Sequence, residues 1–373
     1  RISVENAVVG ETGASVFFRT WPDLGDPGSG KLCAINYYRV TLNSPGNSSG
    51  ARPVATGVCT GLVQKSRLLD SGDALIIATQ QVERWRAGER VEGFPMAGLG
   101  RVSRQGIVQD LGGPGNIAIS GAGHVVAAVQ SSPAEIAISA MSADGKLAWQ
   151  SSIALESQNA STRQMVAGNE GGALVIVELI TLGGSGMSLY TFSPTGDVHR
   201  RDLVSSEGAL TPEAMGNMNP QEMQAAFERM SSANPLEIDR ISARDRPRGG
   251  YDVLYVQKGG DTSAEGTYLL RLDHSGRELD KFFLGRLLDE RNIEEWAAFR
   301  VADGKLLLQD KVLASQPHVQ ARREKYGQNV VSIYDMRSEN LDSRLVPLDM
   351  RYLEAAMNAG DAEIKNLPGL PGG

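Results

Sequence analysis

Histidine and cysteine are scarce in this chain, with four of the first and two of the second among 373 residues. None of His124, His199, His274 and His318 has a second histidine or a cysteine at metal-ligand spacing, which argues against a zinc or haem site. There is no Gly-x-Ser-x-Gly elbow, no phosphate-cradling Gly-x-x-x-x-Gly-Lys, no dinucleotide fingerprint and no calcium loop of alternating acids. The segment Gly259-Gly260-Asp261-Thr262-Ser263-Ala264-Glu265 comes nearest to a calcium loop, but it has too few carboxylates and reads as a solvated hairpin loop. The sequence therefore names no catalytic residue, cofactor or metal. Aromatic residues make up 6% and the four tryptophans are scattered, which gives little support for repeated glycan-stacking platforms. No apolar run approaches the roughly 18 residues of a membrane span. A clustered positive field is also missing. The net charge is −7, and the densest basic runs, Arg240 to Arg248 and Arg322-Arg323, are flanked or interrupted by Asp239, Asp245 and Glu324, so a nucleic-acid partner is not expected.

What the chain does have is repetition. A glycine opens an apolar strand at Gly13, Gly72, Gly123, Gly172, Gly250 and Gly304, at steps of 59, 51, 49, 78 and 54 residues. After each comes an apolar residue, then Ser, Asp or Asn, two variable residues and glycine: Leu42 to Gly46, Val102 to Gly106, Met141 to Gly145, Phe192 to Gly196 and Leu272 to Gly276. The sixth copy, Tyr334 to Ser338, has no glycine. A short polar side chain followed by glycine is hairpin-turn chemistry, because the side chain bonds the backbone two residues on and glycine supplies positive φ. Each period is long enough for one four-stranded antiparallel unit. Six such units close most economically as a six-bladed β-propeller, in which every sheet buries both faces against its neighbours. A β-sandwich or a pair of smaller β-domains is the rival. On the propeller reading residues 1–350 are one domain, and 351–373 add a C-terminal helix (Arg351 to Ala359) and a Pro/Gly-rich tail.

The two cysteines sit symmetrically. Cys33 and Cys59 each lie 13 residues from Gly46, so a hairpin folded there brings them opposite one another. Opposed residues in an antiparallel pair are about 4.5–5.5 Å apart between Cα atoms, within reach of a disulfide. Such a bond implies an oxidising compartment; two unrelated thiols are the alternative. The chain begins at Arg1 with no initiator methionine, as expected after signal-peptide removal. On both observations the expected location is a bacterial periplasm or outside the cell.

The 78-residue step exceeds its neighbours by about 25 residues, and the excess, about 207–237, is helical in pattern. Asn219 is an N-cap, Pro220 suits the first helical position and Glu222 completes a capping box. Met223, Phe227 and Met230 follow at helical spacing. Thr211-Pro212-Glu213 starts a shorter helix backed by Met215 and Met218. Four of the eleven methionines fall in this insertion between the fourth and fifth blades. Methionine-rich helices make adaptable contact surfaces for other proteins, and they also serve as flaps over a sheet edge or channel mouth.

The run Ala143-Asp144-Gly145-Lys146-Leu147-Ala148-Trp149 resembles the Asp-x-x-x-Gly-x-x-x-Trp blade signature of quinoprotein-type propellers, and the chain resembles secreted bacterial propellers in general. The tryptophan occurs in one repeat only, and corresponding positions carry Asp110, Arg200 and Asp280, so the resemblance implies the blade and carries over no cofactor. Asp70, Glu170, Glu294 and Asp303 lie near the ends of first strands, where a propeller enzyme places an acid or base and where turns also use acids. The expectation is a non-catalytic extracytoplasmic scaffold that binds another protein through the helical insertion or loops. The alternative is a hydrolase, lyase or quinone-dependent dehydrogenase with its site in the channel.

Overall fold

The computed structural model describes residues 2–10, 13–20, 33–44, 47–48, 52–59, 63–78, 81–95, 117–132, 134–155, 160–181, 184–204, 216–232, 236–246, 248–259, 265–284, 293–302, 305–312, 329–335 and 343–348. The strands, in chain order, are β1 (Ile2–Gly10), β2 (Gly13–Thr20), β3 (Cys33–Ser44), β4 (Asn47–Ser48), β5 (Arg52–Cys59), β6 (Val63–Leu68), β7 (Ala74–Ala78), β8 (Gln81–Arg86) and β9 (Glu89–Pro95). They continue with β10 (Ile117–Ile119), β11 (Val125–Ser132), β12 (Glu135–Met141), β13 (Leu147–Ala154), β14 (Ala160–Ala167), β15 (Ala173–Thr181), β16 (Gly184–Phe192) and β17 (Val198–Val204). After helix α1 (Pro220–Ser232) come β18 (Glu237–Asp245), β19 (Tyr251–Lys258), β20 (Gly266–Leu272), β21 (Glu278–Phe283), β22 (Ile293–Ala302), β23 (Lys305–Val312), β24 (Asn329–Asp335) and β25 (Ser343–Leu348). Each sheet is made of strands consecutive in the chain. One, β1 to β5, has five strands and the other five have four.

A single turn explains why glycine recurs. At Leu69–Asp73, Ser120–His124, Gly168–Gly172 and Arg246–Gly250, between first and second strands, the first residue's N–H bonds the fifth residue's carbonyl and the fourth residue's N–H bonds the first residue's carbonyl. The turns between third and fourth strands, Ser142–Lys146, Ser193–Asp197 and Asp273–Arg277, close in the same way. In all seven the fourth residue is glycine with φ between +82° and +95°, as a three-residue hairpin loop ending in a left-handed position requires. That geometry shifts the alignment by one in two repeats. The residues equivalent to Gly72 and Gly123 are Gly171 and Gly249, and the expected strand-openers Gly172 and Gly250 sit one place later. There a Cβ would collide with the carbonyl oxygens of Phe192 and Leu272, respectively.

The second repeat departs further from expectation. Its third and fourth strands, β8 and β9, are joined at Ala87-Gly88, where φ is +48° and +93°. This is a tight two-residue connection between twisted strands and needs no Ser, Asp or Asn. Val102 to Gly106 lies beyond β9, outside the described residues, and is not that turn.

The chain folds into two compact units, Arg1–Phe94 with Asp289–Gly373, and Pro95–Leu288. In the first, β1 neighbours both β6 and β22, the first strands of the other two sheets. Phe17, Tyr37, Val54, Val58, Leu68 and Ile76 form its core, with Phe17 and Tyr37 stacked at 5.3 Å. The buried Asp73 carboxylate ahead of β7 takes both of its bonds from the Arg86 guanidinium at the end of β8, each at 2.8 Å, and that pairing holds its pKa below the ordinary value.

In the second unit β10 and β18 both neighbour β14, again first strand beside first strand. The sheet β14 to β17 is buried on both faces. Val175 and Val177 join Met165, Tyr190 and Phe192 in a core shared with β10 to β13. Leu174 and Ile176, pointing the other way, join Val166, Met187 and Leu189 in a core shared with β18 to β21. Strand β15 therefore opens with an unbroken apolar run, Ala173 to Val177, as a strand covered on both sides should.

Candidate functional site

The turns between first and second strands carry polar contacts from sheet to sheet in the second unit. Asn169, in the turn ahead of β15, accepts from the Ala122 N–H at 3.0 Å and donates to the Arg246 carbonyl at 3.4 Å, so one amide spans three sheets. The Gly121 N–H donates to Asp245 Oδ2 at 3.2 Å. Deeper along the first strands, the Gln164 side chain pairs with the Ala243 backbone through both amide atoms, at 2.9 and 3.0 Å. That bond fills the place of a backbone pairing that neighbouring sheets do not make there, since each sheet ends at its first strand.

Two further side chains, one from β13 and one from the turn between β20 and β21, reach the same end. Trp149, the tryptophan of the quinoprotein-like signature, stacks on Phe192 at 5.4 Å and donates its indole N–H to the Gly171 carbonyl at 2.9 Å. It docks one sheet onto the turn of the next. His274 Nδ1 stands 3.5 Å from Glu170 Oε2, both about half exposed. Glu170 packs on Gly249, where any Cβ would strike its carboxylate. His124 lies beside Gly171, and burial lowers its pKa against the opposing charge of Asp144.

On the opposite face of β18 to β21 from its core, Arg244, Asp252, Arg271 and Asp280 stand in one cross-strand row, alternating in charge. Asp252 is buried, and its Oδ1 is 3.4 Å from Arg271 Nε and 3.7 Å from Arg246 Nε without a hydrogen bond to either. Desolvation therefore outweighs the two guanidinium charges, and the carboxyl is pushed up to about 6.

Of the residues singled out from sequence, Cys33 and Cys59 are register partners between β3 and β5. Met218 and Met223 flank the start of α1, each half-buried. Met215 lies outside the described residues, as do the side chains of Phe227 and Met230, although both positions are helical. The cap of α1 is complete: Asn219 Oδ1 accepts from the Gln221 and Glu222 N–H groups at 3.0 and 2.9 Å, and Glu222 Oε2 accepts from the Asn219 N–H at 2.9 Å. Glu170 and Asp70 fall in turns of different units, and Asp303 and the Glu294 side chain lie outside the described residues. The terminal helix expected from Arg351 lies outside the described residues too. Among the described residues, no three His, Cys, Asp or Glu side chains group as metal ligands, and no helix is long and apolar enough to cross a membrane. Asn169, Asp245, Gln164 and Asp252 were not legible as site residues, because their partners lie 47 to 124 residues away in the chain for the turn contacts and in adjacent strands for Asp252.

No protein-family model matches the chain, and no curated protein does. Among solved structures, the chain is similar to virginiamycin B lyase from Staphylococcus aureus, at 10% identity over 93% of this chain and 88% of the lyase, with a TM-score of 0.37. It is also similar to prolyl oligopeptidase B from Galerina marginata, at 8% identity over 92% of this chain, with a TM-score of 0.38; the match takes in 42% of the peptidase. An α-L-arabinofuranosidase from Podospora anserina matches 71% of this chain and 86% of its own at 13% identity and a TM-score of 0.30. At these scores the likeness carries no activity to this chain.

Proposed function

We propose that the chain is a six-bladed β-propeller acting outside the cytoplasm as a non-catalytic scaffold for another protein, with α1 inserted between the fourth and fifth blades as the contact element. First strands neighbouring first strands, β22 with β1 and β6 in one unit and β10 and β18 with β14 in the other, support the radial arrangement. Cysteines paired in register support a disulfide and with it the oxidising compartment.

The observation that carries the function is α1 itself. It interrupts a succession of sheets otherwise joined by hairpins and connectors, and it starts on its own complete cap. Met218 and Met223 at its start are half-buried, and Phe227 and Met230 follow at helical positions. At 13 residues it is too short to hold as an isolated helix. Its methionine-bearing side therefore needs cover, and a partner protein supplies it. Replacing Met223, Phe227 and Met230 together by Ser tests this. The expected result is loss of partner capture from native extract with an unchanged melting temperature. Unchanged capture contradicts the reading, as does a fall in melting temperature of several degrees, which would mean that the helix covers its own sheets.

A further inference from the structure

We infer that Arg246 and Arg271 form a binding site for a small ligand that carries an oxyanion group, a carboxylate or a phosphate. The site stands apart from α1 and rests on different observations. In the sequence, Arg240 to Arg248 reads as a basic run offset by Asp239 and Asp245. In the fold those two acids are engaged elsewhere. Asp245 accepts from the Gly121 N–H at 3.2 Å, and Asp239 pairs with Lys258 at 3.1 Å. Arg246, just past β18, and Arg271, on β20, instead bring their Nε atoms to 3.7 and 3.4 Å from one oxygen, Asp252 Oδ1. Among the described residues no other carboxylate stands within ion-pair distance of either. Asp280, the register partner of Arg271, is exposed and makes no ion pair with it.

Asp252 discharges this pair poorly. Its Oδ1 accepts no hydrogen bond, and Arg271 Nε, a buried donor, has no acceptor. Burial drives the carboxyl toward its neutral form. Two guanidinium charges are thus held close together with one reluctant counter-ion, an arrangement that an added anion relieves.

The two groups are also positioned in advance. Arg246 opens the turn Arg246–Gly250, where its N–H bonds the Gly250 carbonyl at 3.0 Å and its own carbonyl accepts from the Gly249 N–H at 3.1 Å. The Arg271 guanidinium lies over the Phe282 ring, with Cζ 5.3 Å from the centroid. Asp252 is enclosed at 6% exposure, whereas the side chains of Arg246 and Arg271 keep 24% and 19% and so reach solvent. A ligand meets the guanidinium groups first. Their N–H donors form planar forks that match paired oxygens, which selects a carboxylate or phosphate over a cation or a neutral ligand.

The test titrates the full chain with sodium phosphate and, separately, with sodium acetate at neutral pH and constant ionic strength, read by calorimetry. Saturable binding of at least one is expected, and the tighter of the two says whether the natural ligand is a phosphate or a carboxylic acid. Arg246→Gln and Arg271→Gln should each weaken binding about tenfold or more. Arg90→Gln, an equal loss of charge in the other unit, should leave it unchanged. Asp252→Asn should tighten it, because the variant removes the carboxylate that competes for the same guanidinium groups. That variant keeps both arginines, so the inference stays open to refutation even where the arginine variants fail to fold. Failure of both anions to saturate overturns it. So does weaker binding in Asp252→Asn, or a loss in Arg90→Gln as large as that in Arg246→Gln. The Ser variant of α1 should bind as the native chain does, so this inference and the α1 reading fail separately.

Discussion

At the scale of single residues, burial and charge place Asp252 in an unusual position. Its carboxyl is buried beside two guanidinium groups, whose Nε atoms stand 3.4 and 3.7 Å from an Oδ1 that accepts no hydrogen bond. Its folded pKa is raised from 3.8 to about 6, so the fold prefers the protonated form. The stability this residue contributes is complete below about pH 4 and is lost as pH rises through about 6. Asp252→Asn keeps the neutral form at every pH. Urea unfolding across pH 4 to 8 should show the variant and the native chain about equal at the acid end. The variant should gain relative to the native chain by about 2–3 kcal/mol near pH 7, two pKa units being worth roughly that much. A variant that loses ground as pH rises would mean that Arg246 and Arg271 hold the charged form after all. None of this was legible in sequence, where Asp252 is one acid among 44. Its character comes from burial, set against the charges of Arg271 and Arg246, and only the packed sheet brings these together.

At the scale of elements, the turns were the most legible feature, because a hairpin that ends in a left-handed residue leaves glycine in the sequence wherever it occurs. Gly145, Gly196 and Gly276 fall where the polar-x-x-Gly pattern puts them. Sequence alone misaligned Gly172 and Gly250 by one place, since in Gly171-Gly172 and Gly249-Gly250 both glycines are demanded by the backbone and adjacent glycines read alike. It also missed the Ala87-Gly88 turn, which carries no polar signal. The start of α1 was readable because its capping box is local, within four residues. The docking of Trp149 on Gly171 and the Asn169 bridge were not, because both depend on how one sheet meets the next.

The β3 and β5 pairing supplies the element-scale prediction. With Cys33 opposite Cys59, mass spectrometry of protein from its native source, alkylated under denaturing, non-reducing conditions, should find neither cysteine modified. Reduction should cost about 3 kcal/mol of stability, as expected for closing a loop of this length. Two alkylated cysteines would remove both the disulfide and the compartment argument.

At the scale of the molecule, the repeat builds a scaffold, and what is specific to the chain lies where the repeat is interrupted. Bonds between sheets run through Asn169, Asp245, Gln164 and Trp149. Those side chains hold sheets together. Helix α1 belongs to no sheet, and its methionines are the feature that the repeat does not account for. The central claim is that another protein covers this helix. It is tested most directly by placing a photoreactive benzoylphenylalanine at Met223 in the native host and irradiating intact cells. The account predicts one discrete covalent adduct with a different protein, absent when the same probe replaces exposed Glu135. Adducts confined to this chain would show that α1 packs on its own scaffold, and would contradict the account.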